Sequence, residues 1–503
     1  MSREARLAES HLLDYLLLVP VYLATRVPFI HTAGFPDGDA SQMALGIADA
    51  LREGTGFHGA RLYGTAFTTG YYALFFALGP LHGGDPSRLI PLMNGLGVAA
   101  GLAAQVAFYS LLVSLWGRGA AIAGSLLLLF TPGWWELNTF GHPTSLAFAL
   151  FLIALRCFVR TTNAGRAGAF IAYAAACLVR SDLLLAGLAF PALAWVRTRD
   201  RRAVLLGVAV VALAALSVAL AVRGLVGSHG GGVAAQVSAV FDFHLRTVMK
   251  KVAVALLGAG PVIGLAILVG AFACVGSATY DPLLIALCVV VPEALWWLPV
   301  EGPFRQWLVA YGMALLPIAA WLGARAPWRA GLLALAIVIA NQIASAALYR
   351  PIVAKYPWTY RATPGERRWS TRAPVGDWFH HQETAEHAVR QEAREARFVA
   401  GMPDSSILVI APAPYRTEWE ILSRSPSYRY ASQVDEGALW VDLTAGGKQY
   451  LFLEGDPAPT KQALEKAYAS GRLAGLRVFI PIGAEPMEPY PIPDKVPVTI
   501  GAP

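Results

Sequence analysis

Charge is scarce in this chain. Asp, Glu, Lys and Arg make up 15% of its 503 residues, against roughly 25% in soluble globular proteins. With 56% hydrophobic residues and a mean hydropathy of +0.50, that scarcity excludes a wholly water-soluble globule. Cysteine is scarce too: Cys157, Cys177, Cys274 and Cys288 all lie in or beside apolar runs, and the polar C-terminal region has none. The sequence therefore points away from a disulfide framework and toward buried thiols. The apolar runs lack the period-2 alternation of a membrane barrel strand, so helices are expected. No small-x-small cleavage site follows the first apolar run, which is expected to stay as an uncleaved first span. No internal repeat is evident.

What is present is a series of apolar runs, among them residues 12–24, 89–115, 203–222, 252–275 and 330–348. A hydrocarbon core of about 30 Å takes about 20 helical residues to cross. The formal charge is +7 and the pI about 9.2, but the Arg residues sit in short connections between apolar runs. That distribution marks membrane topology rather than nucleic-acid binding. Arg118, the set Arg156, Arg160 and Arg166, the set Arg197, Arg199, Arg201 and Arg202, and the pair Arg325 and Arg329 mark inner turns. The positive-inside rule then gives an α-helical polytopic protein of about eleven transmembrane helices, N-terminus in the cytoplasm and C-terminus outside. Trp134 and Trp135 read as an interface signal, and residues 167–196, interrupted at Arg180-Ser181-Asp182, read as a helical hairpin turning at the outer face.

Residues 1–350 form the expected transmembrane domain. Its first outer loop, residues 31–87, contains two amphipathic stretches, 39–53 and 68–81, suited to lie in the interface. After Arg350 the composition turns polar, and residues 351–503 are expected to form a small extracytoplasmic α/β domain. Helical patterns at 380–399 and 460–469 alternate there with strand-like runs at 407–411, around 450–453 and at 476–481, before an irregular Pro-rich end at 486–503.

The first outer loop opens with Asp37-Gly38-Asp39-Ala40-Ser41-Gln42-Met43-Ala44. Two carboxylates just past a span, at the start of a helix, are placed to meet a substrate at the membrane surface. Asp is also a preferred N-cap, so residue type alone fits capping equally well.

Around these acids the chain resembles the GT-C superfamily of membrane glycosyltransferases, which includes protein O-mannosyltransferases and lipid A aminoarabinose transferases. The resemblance rests on Arg26-Val27-Pro28, on Asp39 with Met43-Ala44, on the stretch from Ala48 to Gly54 and on Gly56-Phe57. It continues through Arg88, Pro91, Arg118 and Thr131-Pro132, and covers roughly the first 200 residues. It implies that Asp39 takes the catalytic position. The family's acidic second residue is Ala40 here, while Asp37 supplies a carboxylate two residues upstream. Within the family, some members use an acidic pair with a divalent ion and others need no metal. Where many members carry Asp-Pro this chain has His142-Pro143; a histidine could bond a sugar hydroxyl or phosphate, but a surface His beside a proline is more often structural.

A lipid-phosphate leaving group needs positive charge where its own negative charge grows. Arg305, Arg180, Arg246, Lys250 and Lys251 are the outer-face candidates, Arg305 foremost; each could instead be an interfacial anchor that snorkels to headgroups. Glu293 lies inside an apolar run, where an ionisable group is costly and often functional, or pairs with a neighbouring Arg. The reading is a transferase moving a monosaccharide from a polyprenyl-phosphate donor to a glycan, lipid or protein acceptor at the outer face, in a bacterial inner membrane among membrane lipids, with no nucleic-acid partner. A transporter or flippase would show a repeated half and broken midplane helices, and neither is evident. A non-catalytic membrane scaffold presenting the C-terminal domain is the third reading.

Overall fold

The outward surface of the helices is apolar and part of the interior is polar. Leu17, Leu205, Phe272 and Ile343 are between 66% and 75% exposed, while Arg26, Asn94, Gln105, Asn138, Glu293 and Asn341 are fully buried. Lipid as solvent selects that inversion of the soluble pattern. The chain is an integral membrane protein. The computed structural model describes residues 3–30, 38–52, 54, 65–160, 162–226, 259–297, 308–355, 407–410, 428–435, 438–445, 448–454, 457–473, 477–479 and 498–499. The expected helix at 380–399 lies outside them, as do the connections at 227–258 and 298–307.

The helices in chain order are α1 (Arg3–Arg26), α2 (Gly38–Arg52), α3 (Thr65–Ala77), α4 (Gly79–His82), α5 (Pro86–Leu129), α6 (Pro132–Leu137), α7 (Pro143–Val159), α8 (Asn163–Val179), α9 (Leu183–Ala186), α10 (Ala189–Thr198), α11 (Arg201–Val226), α12 (Pro261–Gly276), α13 (Asp281–Trp297), α14 (Leu308–Ala314), α15 (Leu316–Gly323) and α16 (Pro327–Lys355). Among the described residues, 88–129, 201–223 and 327–345 are long and apolar enough to cross a membrane, and several apolar helices are shorter. The kinked α5 is the hub of the bundle, packing against α1, α2, α7, α15 and α16.

Local chemistry explains the breaks. Gly117 divides α5 with φ 84° and ψ −177°, a conformation essentially reserved for glycine. The chain turns there beside Arg118, as the sequence expects. Helix α8 stops at Val179, Arg180 is extended, and α9 and α10 follow.

Contacts sort the connections into two ends. At one end Arg118 holds Asp14 with two 2.7 Å bonds, the Gly119 backbone abuts the carbonyls of Gly323 and Arg325, and Arg199 pairs with Asp281 at 2.6 Å. Arg156 lies close enough to Arg160 and Arg197 to feel their charges. At the other end Arg26 meets Leu129 and His142 lies near Arg180. The chain therefore runs from the first end to the second along α8 and returns along α9 and α10, the hairpin the sequence anticipates.

Three expectations are corrected. Trp134 and Trp135 are fully buried rather than set at a lipid interface. Helix α6 is tucked under the end of α1, where the Trp135 indole N–H donates to the Thr25 carbonyl at 2.6 Å and Trp134 meets Phe148 edge-on at 5.3 Å. The stretch 68–81 buries Thr69, Tyr71, Tyr72 and Phe75 and packs on α8 and α11, so it belongs to the bundle. Among the free cysteines, Cys177 and Cys274 are buried, but Cys157 and Cys288 are only half-buried.

The C-terminal residues contain a six-stranded sheet in the order β2-β3-β4-β1-β5-β6. Strands β1 (Ile407–Ile410), β2 (Tyr428–Asp435), β3 (Ala438–Ala445) and β4 (Lys448–Glu454) precede helix α17 (Pro457–Ala469), with β5 (Arg477–Phe479) and β6 (Val498–Thr499) after it. β2, β3 and β4 form an antiparallel meander, and β1 runs parallel to both β4 and β5. β4 and β5 thus flank β1 and run the same way, which needs a crossover connection, and α17 lies in it.

Candidate functional site

The helix that begins beside the two acids is amphipathic. In α2, Ala40, Met43, Ala44, Ile47 and Ala48 are buried, a helical stripe of spacing three and four, and the helix packs on α5 and α3. Asp39 is its second residue, so the backbone follows the pattern read from the sequence. The Asp39 side chain, Asp37, Arg305, Arg246, Lys250 and Lys251 lie outside the described residues.

The chain leading into that loop is clamped. Arg26 is fully buried; Nη2 donates to the Leu129 carbonyl at 2.6 Å and Nη1 to Thr25 Oγ1 at 2.6 Å. Its guanidinium stands 4.8 Å from the centroid of the Tyr22 ring, and Tyr22 donates to the Val98 carbonyl at 3.0 Å. Sequence reading noted Arg26 only as part of a family pattern. A lone Arg at the C-terminal end of an apolar helix was the available signal.

His142 is placed by small residues of α5. A Cβ on Gly97 would stand 2.2 Å from the Phe140 carbonyl oxygen, and the Gly141 N–H donates to Asn94 Oδ1 at 2.7 Å. So seated, the loop before α7 buries His142, which corrects the surface position expected of it. His142 is the N-cap of α7 and its Nδ1 accepts the Thr144 N–H at 3.2 Å. A ring nitrogen that accepts an N–H carries no proton, so the neutral ring has its proton on Nε2. Burial first, and the charge of Arg180 second, hold its pKa down to about 3. The ring is neutral at ordinary pH and offers a donor at Nε2.

Arg180 is buried as well, not an outward cation. Its Nε donates to Asp182 Oδ1 at 3.0 Å, Nη2 is bonded to Asp182 Oδ2, and Nη1 donates to Thr144 Oγ1 at 2.6 Å. The pair bridges the break after α8 to the first turn of α7. A buried charge needs such a partner, and Asp182 two residues on in an apolar hairpin was the signal for it.

Glu293, fully buried on α13, lies within electrostatic reach of Tyr173 and Cys177 on α8. Tyr173 Oη reaches the carbonyls of Leu183 and Leu184 at 3.1 and 3.0 Å, and Cys177 also feels Asp182. The fold thus gathers His142, Arg180 and Glu293, three of the candidates read from the sequence, around Thr144, Tyr173, Cys177 and Asp182. Among the described residues no three His, Cys, Asp or Glu side chains form a group able to hold a metal ion.

No family model matches the chain, and no curated protein matches it in sequence. Its fold does match solved structures. The crystal structure of ArnT from Cupriavidus metallidurans in the apo state superposes with a TM-score of 0.53 at 13% identity, covering 83% of this chain and 85% of that one. The same protein bound to undecaprenyl phosphate gives a TM-score of 0.53 at 14% identity, over 82% and 84% of the two chains. ArnT is an aminoarabinose transferase, a GT-C glycosyltransferase, and this chain shares that fold.

Proposed function

We propose that the chain is a glycosyltransferase of the GT-C kind, moving a monosaccharide from a polyprenyl-phosphate donor to an acceptor hydroxyl at the non-cytoplasmic face. The observation that carries the reading is the fold shared with ArnT, one structure of which holds undecaprenyl phosphate. The amphipathic helix beginning at Gly38-Asp39 supports it from the chain's own sequence. In this reading residues 1–350 are the transmembrane catalytic domain, with about eleven passes if α5 counts as two. The first outer loop, 31–87, and the α/β domain, 351–503, face the same outer side of a bacterial inner membrane.

The reaction is an inverting displacement. The acceptor oxygen bonds to the anomeric carbon as the bond from that carbon to the phosphate oxygen breaks, and the polyprenyl phosphate leaves with the electron pair. Asp39 takes the acceptor proton as general base, with Asp37 as the neighbouring carboxylate. Arg305, Arg246, Lys250 and Lys251 offset the charge growing on the phosphate. The Nε2–H of His142 donates to a sugar hydroxyl or phosphate oxygen, and Arg180, paired with Asp182, and Glu293 shape that wall of the site. Residues 351–503 influence acceptor choice rather than the chemical step.

The test is incubation of purified protein with polyprenyl-phosphate monosaccharides and a membrane extract as acceptor. Consumption of one lipid-linked sugar with release of the polyprenyl phosphate is expected. Transbilayer movement of the intact lipid with no release would instead favour a flippase.

A further inference from the structure

At the arginine-rich end of the bundle, three cations meet with no acid paired to them among the described residues. Arg156 is half-buried in the last turn of α7, and its Nε donates to Ser110 Oγ of α5 at 2.6 Å, a neutral partner. Arg160, one turn further at the C-cap of α7, and Arg197, in the last turn of α10, the helix that packs on α7, are exposed beside it. The acids described at that end are engaged elsewhere. Asp14 holds Arg118 and Tyr109, Asp281 holds Arg199, and Asp200 accepts the Arg202 N–H at 3.0 Å.

The backbone under the cluster is tightly packed. A Cβ on Gly165 would stand 2.4 Å from the Arg160 carbonyl, so the turn from α7 to α8 holds the Arg160 backbone at this spot. Thr162 Oγ1 caps α8 there by accepting the Gly165 N–H at 3.1 Å, which turns the positive end of the α8 dipole toward the same spot. Three guanidinium groups gathered beside a helix N-terminus repel one another, and an anion among them relieves that repulsion.

We propose that Arg156, Arg160 and Arg197 form a site for the phosphate of an anionic phospholipid headgroup, separate from the donor site. Helix α7 spans about 25 Å at 1.5 Å per residue and carries His142 at its opposite end, so the two sites lie at opposite ends of one helix. Guanidinium groups match phosphate oxygens in bidentate geometry, and basic pockets between transmembrane helices suit anionic headgroups. The acyl chains have a surface to lie on: Leu12 and Leu16 of α1 are exposed, next to Asp14 and to Tyr15, whose ring is close enough to influence Arg156. Exposed Trp195 of α10 stacks 5.6 Å from Arg199, an aromatic at headgroup level.

The full-length protein is reconstituted in nanodiscs of phosphatidylcholine with and without phosphatidylglycerol. Bound lipid is then counted by native mass spectrometry, and the unfolding midpoint is read in parallel. Phosphatidylglycerol is expected to stay bound and to raise the midpoint. The triple variant Arg156→Gln, Arg160→Gln, Arg197→Gln is expected to bind it about 100-fold more weakly, about fivefold per cation, with an unchanged midpoint in phosphatidylcholine. If the triple variant does not fold, Arg160→Gln and Arg197→Gln alone, both at exposed positions, are each expected to weaken binding about fivefold. Retention like wild type in these variants overturns the proposal. So does inorganic phosphate raising the wild-type midpoint as far as the lipid does, because the site would then belong to a free anion.

Discussion

Arg26, the last residue of α1, donates from Nη2 to the carbonyl of Leu129, the last residue of α5, at 2.6 Å. The C-terminus of a helix carries partial negative charge, so α5 stabilises this buried cation through its own backbone. Replacing Arg26 with Leu strands the Leu129 carbonyl in the interior, which costs about 1–3 kcal/mol, and frees the chain that enters the Asp37 and Asp39 loop. Arg26→Leu is expected to lower the unfolding midpoint and turnover together, with Arg26→Lys intermediate. A wild-type midpoint for Arg26→Leu in a detergent melt would show that the clamp carries no weight.

The Arg180 and Asp182 pair behaves as one unit. Both side chains are nearly inaccessible, so Arg180→Gln leaves a buried carboxylate and is expected to cost about 3–5 kcal/mol. The double change Arg180→Gln, Asp182→Asn removes both charges and is expected to recover most of that loss. A double-mutant cycle on chemical unfolding checks the coupling, and additive losses would contradict it.

His142 sets an acid limit on stability. With its folded pKa held down to about 3 and an unfolded value near 6.5, the unfolded chain binds a proton between those pH values and the folded chain does not. Stability therefore rises with pH through that window, by at most about 1.4 kcal/mol per unit, and this contribution is flat above about 6.5. His142→Asn keeps an N-cap acceptor for the Thr144 N–H and removes the titration. The difference in unfolding midpoint between wild type and His142→Asn should grow in favour of Asn as pH falls from 6.5 toward 4. A difference independent of pH would contradict the buried, neutral His142.

Orientation is open to a direct check. Reporter fusions at Gly83 and Gly501 are both expected to read out on the non-cytoplasmic side, since the Arg-rich turns mark the opposite end. Two cytoplasmic readings would remove the proposed topology and its mechanism together.

The bundle was legible in the sequence wherever lipid dictates composition. Apolar runs gave the helices, Gly117 beside Arg118 gave the turn in α5, and Arg180-Ser181-Asp182 gave the break after α8. The spacing from Ala40 to Ala48 gave α2. Side-chain depth was not legible. Trp134, Trp135, His142 and Arg180 are residue types common at interfaces, and only tertiary packing puts them inside. Gly97 and Asn94 seat the His142 loop from far along the chain, and Thr144 reaches Arg180 the same way. In the C-terminal sheet the β2 and β3 hairpin was missed, although β3 carries the short apolar run Leu439-Trp440-Val441, because the charged residues flanking it resemble a loop.

The central claim is that Asp39 is the general base, and Asp39→Asn tests it most directly. Asp39 is the second residue of α2 and Asn has nearly its volume, so a role confined to the helix terminus predicts a stability loss of no more than about 1 kcal/mol and little loss of activity. Measured on folded, purified protein with a polyprenyl-phosphate sugar donor, the account predicts turnover reduced about 100-fold to 10,000-fold with the unfolding midpoint close to that of wild type. Near-normal turnover in Asp39→Asn would contradict it.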